Sequence, residues 1–299
     1  MENKTIAIVV TYNRLNLLNE CIAALNSQKY DGFDIMIVNN CSTDGTEEFL
    51  SQFEKNNRFI IRKTDKNVGG AGGFSFGLKE AYALGYEKYW LMDDDTIPDD
   101  NALDELEKAD DYLKQDYGFL SSYVRWIDGK SCLMNNHAIA GNWMEEPREL
   151  IERGYYLNNG GSFVSFFTHR KILENVGLPY KEFFIWGDDA EYSARIANGY
   201  KGYFVLNSTV THKIHSNIPT DIYKDSADRL FRYQLKTRNE LFLARKEGKK
   251  VARKYVTATL KGCFWIVVKV KDKPFLRVKY VLKGLNEGRK FNPQIEYVK

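Results

Sequence analysis

The chain has 299 residues, of which 43% are hydrophobic and 28% charged, and this ordinary mixture excludes an intrinsically disordered chain and a multi-span membrane protein. A chain of this length can bury a large core, either as one α/β domain or as a catalytic domain with a helical appendage. The net charge of +3 is small, and the four cysteines lie far apart without a CxxC pair, which argues against a zinc site and for a reduced, cytosolic protein.

The first part of the chain alternates between strand-like and helix-like patterns. Apolar runs predict strands at residues 5–10, 34–38, 59–62 and 89–92. Apolar residues at helical spacing follow the first run, and a glycine-rich loop at 67–73 leads into a helix that ends near Gly85. Alternation of this kind predicts a parallel sheet flanked by helices.

The second part is less regular. Residues 162–167 and 203–206 are predicted as strands, and residues 184–192 open a helix that stops at Gly199. From about residue 221 onward the pattern becomes helical and increasingly basic, which favours a boundary near residue 220.

Three consecutive aspartates, Asp93, Asp94 and Asp95, follow the strand predicted at 89–92. The C-terminal edge of a parallel sheet is where open α/β folds bind ligands. Adjacent carboxylates repel one another, and Mg²⁺ or Mn²⁺ relieves the repulsion while completing its shell with phosphate oxygens. Taken alone, the three residues also suit an acidic loop that caps the next helix.

Four motifs stand in the order and at the spacing of the family 2 glycosyltransferases, which share the GT-A fold. They are VVTYNR at 9–14, VNNCSTDGT at 38–46, NVGGAGGF at 67–74 and DDD at 93–95. The chain resembles this family over its first 100 residues, and later motifs extend the resemblance to about residue 240. The resemblance implies a Rossmann-like α/β fold with a mostly parallel sheet. It also implies a GT-A catalytic domain at 1–220, with a nucleotide-sugar part at about 1–100 and an acceptor part at about 101–220, before a helical, basic region at 221–299.

The same resemblance implies the residues that bind the donor and a divalent cation, Mn²⁺ or Mg²⁺. The implied donor-binding residues are Thr11, Asn13, Arg14, Asn39, Gly69, Gly70 and Asp94. Arg62 is predicted as a supplementary donor-binding cation, with a solvated surface charge as the alternative. The implied metal ligands are Asp93, Asp95 and His212, with His215 as the alternative to His212. Many family members have an aspartate where this chain has Asn39, and an amide both donates and accepts hydrogen bonds, so the nucleotide base stays open between UDP and dTDP.

The motif WGDDAE at 186–191 resembles the acceptor-side motif of galactofuranosyltransferases and related rhamnosyltransferases. Inverting transfer needs a base for the acceptor hydroxyl, and the resemblance assigns this role to Asp189. Trp186, Asp188 and Glu191 are the implied acceptor-binding residues. As alternatives, the two aspartates suit helix capping, and Trp186 suits a core position.

The function expected from these motifs is sugar transfer to a glycan or lipid-linked glycan in bacterial surface polysaccharide synthesis. UDP-galactofuranose is the expected donor, and dTDP-rhamnose is the alternative. Two rivals belong to other classes. A nucleotidyltransferase would favour a glycine-rich loop directly after the first strand, where this chain has TYNR, and a sugar-binding scaffold without activity would not need Asp93, Asp95 and Asp189.

Residues 249–290 contain thirteen Lys or Arg against two acids. Apolar residues recur at helical spacing among them, at Phe275, Val278, Val281, Leu282 and Leu285. The pattern predicts an amphipathic basic helix that lies on the inner face of the cell membrane, making the protein peripheral and cytoplasmic. Alternatively, the helix packs on the catalytic domain or on a second subunit, which leaves a homo-oligomer open. No nucleic-acid-binding motif accompanies the charge, so nucleic acid is not an expected partner.

Overall fold

The computed structural model of the protein describes residues 4–135 and 138–298, which form a nine-stranded sheet and ten α-helices. The strands are β1 (Thr5–Thr11), β2 (Phe33–Asn39), β3 (Phe59–Lys63), β4 (Lys88–Asp93), β5 (Thr96–Pro98), β6 (Phe119–Arg125), β7 (Tyr155–Asn158), β8 (Phe166–His169) and β9 (Gly202–His212). The helices are α1 (Leu15–Asn26), α2 (Thr46–Ser51), α3 (Gly69–Ala83), α4 (Ala102–Leu113), α5 (Arg148–Glu152), α6 (Arg170–Val176), α7 (Asp188–Ala197), α8 (Phe231–Glu247), α9 (Lys249–Lys269) and α10 (Pro274–Gly288).

Four strands form a parallel block in the order β3-β2-β1-β4. All of β1 is buried, as expected for a strand that is covered on both faces of a parallel sheet. Val10 pairs in register with Val38 of β2 and with Asp93 of β4, so these strands end together. The loops that follow Thr11, Asn39 and Asp93 therefore converge at one edge of the sheet.

The remaining strands make the sheet mixed. β8 runs antiparallel to β4 and to β6, and β6 runs parallel to β9. β5 and β7 pair antiparallel with β9. Across the described residues, six of the nine strands (β1–β4, β6 and β9) therefore share one direction. This confirms the predicted α/β fold with a mostly parallel sheet.

Glycines allow α3 to approach the sheet closely. A Cβ added to Gly73 would lie 2.5 Å from Cγ1 of Val10, and one added to Gly77 would lie 2.7 Å from Cγ2 of Ile8. The loop predicted at 67–73 is therefore largely helix, because α3 begins at Gly69. Low helix propensity favours a loop here, but close packing against β1 requires residues without a Cβ.

Two other elements differ from their predictions. The strand predicted at 162–167 begins only at Phe166, and the residues before it form a turn in which Ser165 Oγ accepts a hydrogen bond from Trp90 Nε1 at 2.9 Å. The strand predicted at 203–206 is the first part of β9, which continues to His212 because β5 and β6 pair along its second half.

The described chain separates into two compact units. The first consists of the chain up to Lys181, residues Asp189–Ile218 and residues from Ile295 onward, and it contains the sheet. The second consists of Glu182–Asp188 and Pro219–Gln294, with α8, α9 and α10. No helix within residues 4–135 and 138–298 combines the length and the hydropathy needed to cross a lipid bilayer.

A C-terminal segment completes the first unit. The carbonyl of Glu296 accepts a hydrogen bond from the backbone N–H of Leu178 at 2.8 Å. Its carboxylate lies 2.5 Å from Lys79 Nζ and 2.7 Å from Lys181 Nζ, and hydrogen bonds from these two ammonium groups lower the pKa of Glu296. One side chain thus links α3 to the segment that follows α6.

In the second unit, α10 packs closely on α8. A Cβ added to Gly284 would lie 2.4 Å from the carbonyl oxygen of Gln234. Val281 and Leu285 are buried, whereas Phe275 at the start of the helix is exposed. Part of the apolar face that the sequence assigns to a membrane is therefore buried within the protein, because α10 packs on α8.

Candidate active site

Three consecutive carboxylates lie at the sheet edge where β1, β2 and β4 end. Asp93 is the last residue of β4, and Asp94 and Asp95 form the turn into β5. Asp94 and Asp95 are each 3% exposed, so their side chains are largely removed from water. Because an isolated buried carboxylate is strongly destabilising, the partners of these groups matter.

Asp94 is held by the end of β1 and the loop after it. Its Oδ2 accepts hydrogen bonds from Thr11 Oγ1 at 2.8 Å and from the backbone N–H of Tyr12 at 3.4 Å. Arg14 Nη1 lies 3.2 Å from Asp94 Oδ1 and 2.5 Å from Asp95 Oδ2. The structure thus brings together Thr11, Arg14 and two of the aspartates.

Asp93, Asp95 and His212 form a group with the chemistry of a metal site. One ligand atom of each lies within 4.8 Å of the others. His212 ends β9 and pairs in register with Thr96 of β5, which places its Nε2 atom 3.2 Å from Asp95 Oδ1. Carboxylates are preferred ligands of Mg²⁺ and Mn²⁺, and imidazole is a common metal ligand.

Asn135 orients the imidazole of His212. Its Oδ1 lies 2.7 Å from His212 Nδ1, while its Nδ2 donates to Ser162 Oγ at 2.9 Å. Because an amide oxygen only accepts, Nδ1 carries a proton and Nε2 faces Asp95 Oδ1. A nitrogen lone pair and a carboxylate oxygen at 3.2 Å require a proton or a cation between them. The donor set therefore fits a divalent metal ion. Asn135 belongs to none of the sequence motifs and is not among the predicted site residues.

Burial dominates the ionisation of this cluster. It raises the pKa of Asp94 to about 6 against the effect of Arg14, and together with the Asp95 charge it raises the pKa of Asp93. Burial acts against a charged His212, but the hydrogen bond with Asp95 raises the pKa of this imidazole to about 10. The same contact lowers the pKa of Asp95 despite its burial. A cation that binds here displaces protons from the cluster.

Asn13 joins the loop after β1 to the loop after β2. It adopts the left-handed region with a φ of 53°, its N–H donates to Ser42 Oγ at 3.0 Å, and its Oδ1 accepts from the N–H of Thr43 at 2.7 Å. Asn39 Oδ1 accepts from the N–H of Ser42 at 2.9 Å. Both predicted donor-binding asparagines therefore shape the loops at this sheet edge.

Asn40 joins three elements behind these loops. Its Oδ1 accepts from Thr64 Oγ1 at 3.0 Å and from the N–H of Val68 at 2.9 Å, and its Nδ2 donates to the carbonyl of Gly69 at 3.0 Å. These bonds fix the start of α3, where Gly69 and Gly70 lie. Asn40 lies within the motif at 38–46 but is not among the predicted site residues.

Arg62 contacts α3 instead of the aspartates. Its Nε lies 2.9 Å from Glu80 Oε2, and its Nη1 donates to the carbonyl of Ile61 at 3.1 Å. Among the predicted donor-binding cations, Arg14 is the one that reaches the aspartates.

Asp188 and Asp189 begin α7. Asp189 Oδ1 accepts from the N–H of Ala190 at 2.7 Å, and its carbonyl accepts from Ser193 Oγ at 2.8 Å. Burial raises the pKa of Asp189, although hydrogen bonds from the backbone of Ala190 and Phe163 oppose this. A carboxylate with a raised pKa is a stronger base than an ordinary one.

The segment before β8 connects α7 to the end of β4. Because β8 runs antiparallel to β4 with Phe166 opposite Leu91, the residues just before Phe166 run beside the C-terminal end of β4. Ser193 of α7 donates to the carbonyl of Gly161 in this segment at 3.3 Å. α7, which begins with Asp188 and Asp189, thus contacts the segment that runs beside the end of β4, where Asp93 lies.

Glu191 forms an ion pair within α7. Arg195 Nε and Nη2 each lie 2.9 Å from one of its carboxylate oxygens, and the pair is largely buried. This geometry supports a structural contribution of Glu191 to the helix.

Trp186 lies in a strained segment of the second unit. Its φ is 66° and that of Phe184 is 65°. Asn239 of α8 holds the segment, since its Nδ2 donates to the carbonyls of Trp186 at 3.0 Å and of Phe183 at 3.1 Å. The indole contacts the Tyr233 ring edge-on, with a centroid distance of 5.2 Å. Trp186 therefore packs on an aromatic neighbour while it remains partly exposed.

The chain is similar to known sugar transferases in sequence. The family model described as glycosyl transferase family 2 matches residues 6–177, more than half of the chain. The galactofuranosyltransferase GlfT1 of Mycolicibacterium smegmatis is 33% identical over 97 residues, which are 32% of this chain and 32% of that protein. A poly-β-1,6-N-acetyl-D-glucosamine synthase of Staphylococcus epidermidis is 30% identical over 95 residues, which are 32% of this chain and 22% of the synthase. The chain thus matches a third or less of the length of these curated relatives.

Solved structures share the fold. The mannosyltransferase PcManGT of Pyrobaculum calidifontis, solved with GDP-Man and Mn²⁺, matches 97% of this chain and 88% of its own, with a TM-score of 0.57 and 16% identity. The likeness confirms the predicted GT-A fold. The family match over residues 6–177 shows that the chain belongs to glycosyl transferase family 2.

Proposed function

We propose that the protein is an inverting, metal-dependent glycosyltransferase that moves a sugar from a nucleotide donor to a glycan or lipid-linked glycan. The observation that carries this proposal is the group of Asp93, Asp95 and His212, whose ligand atoms lie within 4.8 Å of one another. Thr11 and Arg14 both bind the Asp94 carboxylate, which supports a nucleotide site at the same strand ends.

In this proposal Asp93, Asp95 and His212 hold Mn²⁺ or Mg²⁺. When bound, the cation neutralises negative charge on the donor diphosphate. Arg14 contributes a second positive charge beside the aspartates, at 2.5 Å from Asp95. Thr11 and residues of the neighbouring loops make the remaining donor contacts in this proposal. These residues are Asn13, Asn39, Gly69, Gly70 and Asp94.

Asp189 is the proposed base. Its carboxylate accepts the proton of the acceptor hydroxyl while the hydroxyl oxygen forms a bond to the anomeric carbon, on the face opposite to the diphosphate. The bond between that carbon and the diphosphate breaks, and the diphosphate leaves with the electron pair. Attack from the opposite face inverts the configuration. Trp186, Asp188 and Glu191 are assigned to the acceptor side, with Glu191 acting through its ion pair with Arg195.

UDP-galactofuranose is the proposed donor. Its support is the similarity to GlfT1, which is 33% identical to this chain over 97 residues. dTDP-rhamnose is the alternative, because the amide of Asn39 does not fix the base.

The proposed setting is the synthesis of a bacterial surface polysaccharide. The named activities of GlfT1 and of the poly-β-1,6-N-acetyl-D-glucosamine synthase support it. A lipid-linked acceptor would place the protein at the inner face of the cell membrane as a peripheral protein. Family membership favours this function over a nucleotidyltransferase and over a sugar-binding scaffold.

A nucleotide-release assay tests the donor and the metal together. The protein is incubated with UDP-galactofuranose, dTDP-rhamnose or other nucleotide sugars and a membrane lipid extract, with Mn²⁺ or with a chelator. We expect the fastest release from UDP-galactofuranose, and we expect it only with the metal. Release that the chelator leaves unchanged would contradict the metal site.

Two substitutions separate the base from the metal site. Asp189→Asn removes the proton acceptor but keeps the shape, so we expect transfer to fall by about 10²-fold or more while metal-dependent UDP binding stays unchanged. Asp95→Ala removes a metal ligand, and we expect UDP binding in the presence of Mn²⁺ to weaken by about tenfold or more. Calorimetry measures binding, and nucleotide release measures turnover. Normal turnover of the Asp189→Asn variant would contradict the assignment of Asp189 as the base.

A further inference from the structure

The outer face of α9 is apolar along its second half. Leu260, Phe264 and Val268 are exposed and follow one another four residues apart along α9, whereas Cys263 and Ile266 of the same helix are buried. Phe264 is 62% exposed. A water-soluble helix normally places polar residues on such a face, so this stripe needs a partner.

Further exposed apolar side chains lie close to this stripe in the sequence, on α9 and at the start of α10. Phe275 is 76% exposed, and Trp265 and Val267 are also exposed. Phe264 and Trp265 contact each other edge-on, with ring centroids 5.4 Å apart. We name this surface the α9–α10 apolar tip and define it by Leu260, Phe264, Trp265, Val267, Val268 and Phe275.

Cations surround the α9–α10 apolar tip. Lys261, Lys269, Lys271 and Lys273 are exposed in or beside it. Residues 249–283 contain eleven Lys or Arg and one carboxylate, Asp272, which lies 3.0 Å from Arg277 Nη2. The surface therefore combines bulky apolar side chains with an excess of positive charge.

We propose that the α9–α10 apolar tip docks on an anionic lipid surface. The aromatic and aliphatic side chains enter the boundary between headgroups and acyl chains, and the surrounding lysines contact negative headgroups. Lys269 Nζ lies 4.8 Å from the Trp265 ring centroid, so the ring and the charge sit together as they do at a membrane interface.

The positive charge of this surface favours an anionic lipid surface over a second copy of the chain as its binding partner. A symmetric dimer through this surface brings the exposed lysines in or beside the tip of each subunit together, and their repulsion opposes association. An anionic bilayer instead supplies the opposite charge for the lysines and an apolar layer for the rings.

This inference deepens the proposed function and rests on its membrane location. It also places the membrane-contacting surface mainly on α9 and not on α10. The sequence pattern points to the apolar face of α10, but Val281 and Leu285 on that face are buried, and the exposed apolar residues lie mainly on α9.

Co-sedimentation of the full chain with lipid vesicles tests the proposal. We expect binding to vesicles of phosphatidylcholine mixed with phosphatidylglycerol, and we expect salt to weaken it. The double variant Phe264→Ser/Phe275→Ser should bind at least about tenfold more weakly, because it lacks the two aromatic rings that the bilayer would bury. Lys261→Glu/Lys269→Glu should lose binding to the anionic vesicles. Met144→Ser, a residue of the first unit that is 74% exposed, is the control and should bind like the unchanged protein.

Three outcomes would overturn the proposal. They are equal binding of the unchanged protein and the Phe264→Ser/Phe275→Ser variant, equal binding to pure phosphatidylcholine vesicles, and a dimer in light scattering that the double variant dissociates. The assay contains neither donor nor acceptor, so its failure leaves the transferase proposal standing. Conversely, vesicle binding without any nucleotide release would refute the transferase proposal alone.

Discussion

The amide of Asn135 determines which nitrogen of His212 faces the carboxylates. Its Oδ1 lies 2.7 Å from Nδ1, and Asn135 is itself held by Ser162. Partners of this kind set the orientation of a metal-binding imidazole and make it a better ligand. In the proposed metal site, Asn135 would therefore affect the affinity for the cation without contacting it.

Replacing Asn135 with leucine keeps the size of the side chain but removes the acceptor for Nδ1. We expect the affinity for Mn²⁺, measured by calorimetry in the presence of UDP, to fall by about 10- to 100-fold. Asn142→Leu is the matched control, because Asn142 contacts the exposed Glu145 instead. Equal Mn²⁺ affinity in both variants would contradict the role of Asn135.

At the residue scale, the sequence predicts the contacts that follow from strand ends. Thr11 and the aspartates end neighbouring parallel strands, so their meeting follows from the sheet alone. Asn135 and Asn40 could not be assigned roles in this way. Their partners lie far along the chain, and no periodicity connects them.

At the scale of single elements, the packing of α3 on β1 depends on Gly73. In Gly73→Ala the new Cβ would lie 2.5 Å from Cγ1 of Val10, a buried β-branched residue with little freedom to move. We expect the free energy of unfolding to fall by about 1–3 kcal/mol. Urea denaturation measures this change.

Gly70→Ala is the control on the same helix. A Cβ at Gly70 meets nothing within 4 Å, and alanine is the better helix former. We expect this variant to be as stable as the unchanged protein or slightly more stable. A similar loss of stability in both variants would contradict the role of the contact with Val10, because alanine at Gly70 meets no such contact.

Elements with strong apolar runs are predicted well, and short or irregular ones are not. β1 and β4 are buried continuous runs, and the sequence predicts them nearly to their ends. The residues before Phe166 are as apolar as a strand but form a turn, because the Trp90–Ser165 hydrogen bond and the pairing of β8 with β4 begin the strand later. Contacts of this kind between distant residues produce no pattern in the local sequence, so the start of β8 could not be predicted from it.

At the scale of the whole molecule, stability should depend on pH through His169. This residue is 1% exposed, and its Nε2 donates to the carbonyl of Tyr117 at 2.8 Å, while Nδ1 has no partner among the described residues. Burial lowers the pKa of His169 below 6.5. The folded protein therefore resists a second proton on this ring.

The direction of the pH effect follows. Above about pH 6.5 both the folded and the unfolded states hold a neutral imidazole. Below it the unfolded state binds a proton that the folded state does not, so the free energy of unfolding falls by up to about 1.4 kcal/mol per pH unit until the folded-state pKa is reached. His169→Gln keeps a donor for the Tyr117 carbonyl and does not titrate. We expect urea denaturation of this variant to show a flatter pH dependence, and an identical profile would contradict the assignment.

The fold class is the property that the sequence predicts best at this scale, because alternating strands and helices leave few arrangements other than a parallel sheet. The predicted division into residues 1–220 and 221–299 stays a prediction. A linear boundary cannot describe the compact units, each of which contains more than one stretch of the chain. Glu182–Asp188 joins the second unit through contacts such as that of Asn239 with the Trp186 carbonyl, which sequence distance hides.

The link made by Glu296 has a consequence for biosynthesis. Lys79, Lys181 and Leu178 leave the ribosome long before Glu296, and the 76 residues of Pro219–Gln294 are translated between them and their partner. Domains generally begin to fold during translation, from the N-terminal end. The nascent sheet must therefore wait without the Glu296 carboxylate until the helices of the second unit have been made, and only then can the segment from Ile295 onward complete the unit that began to form first.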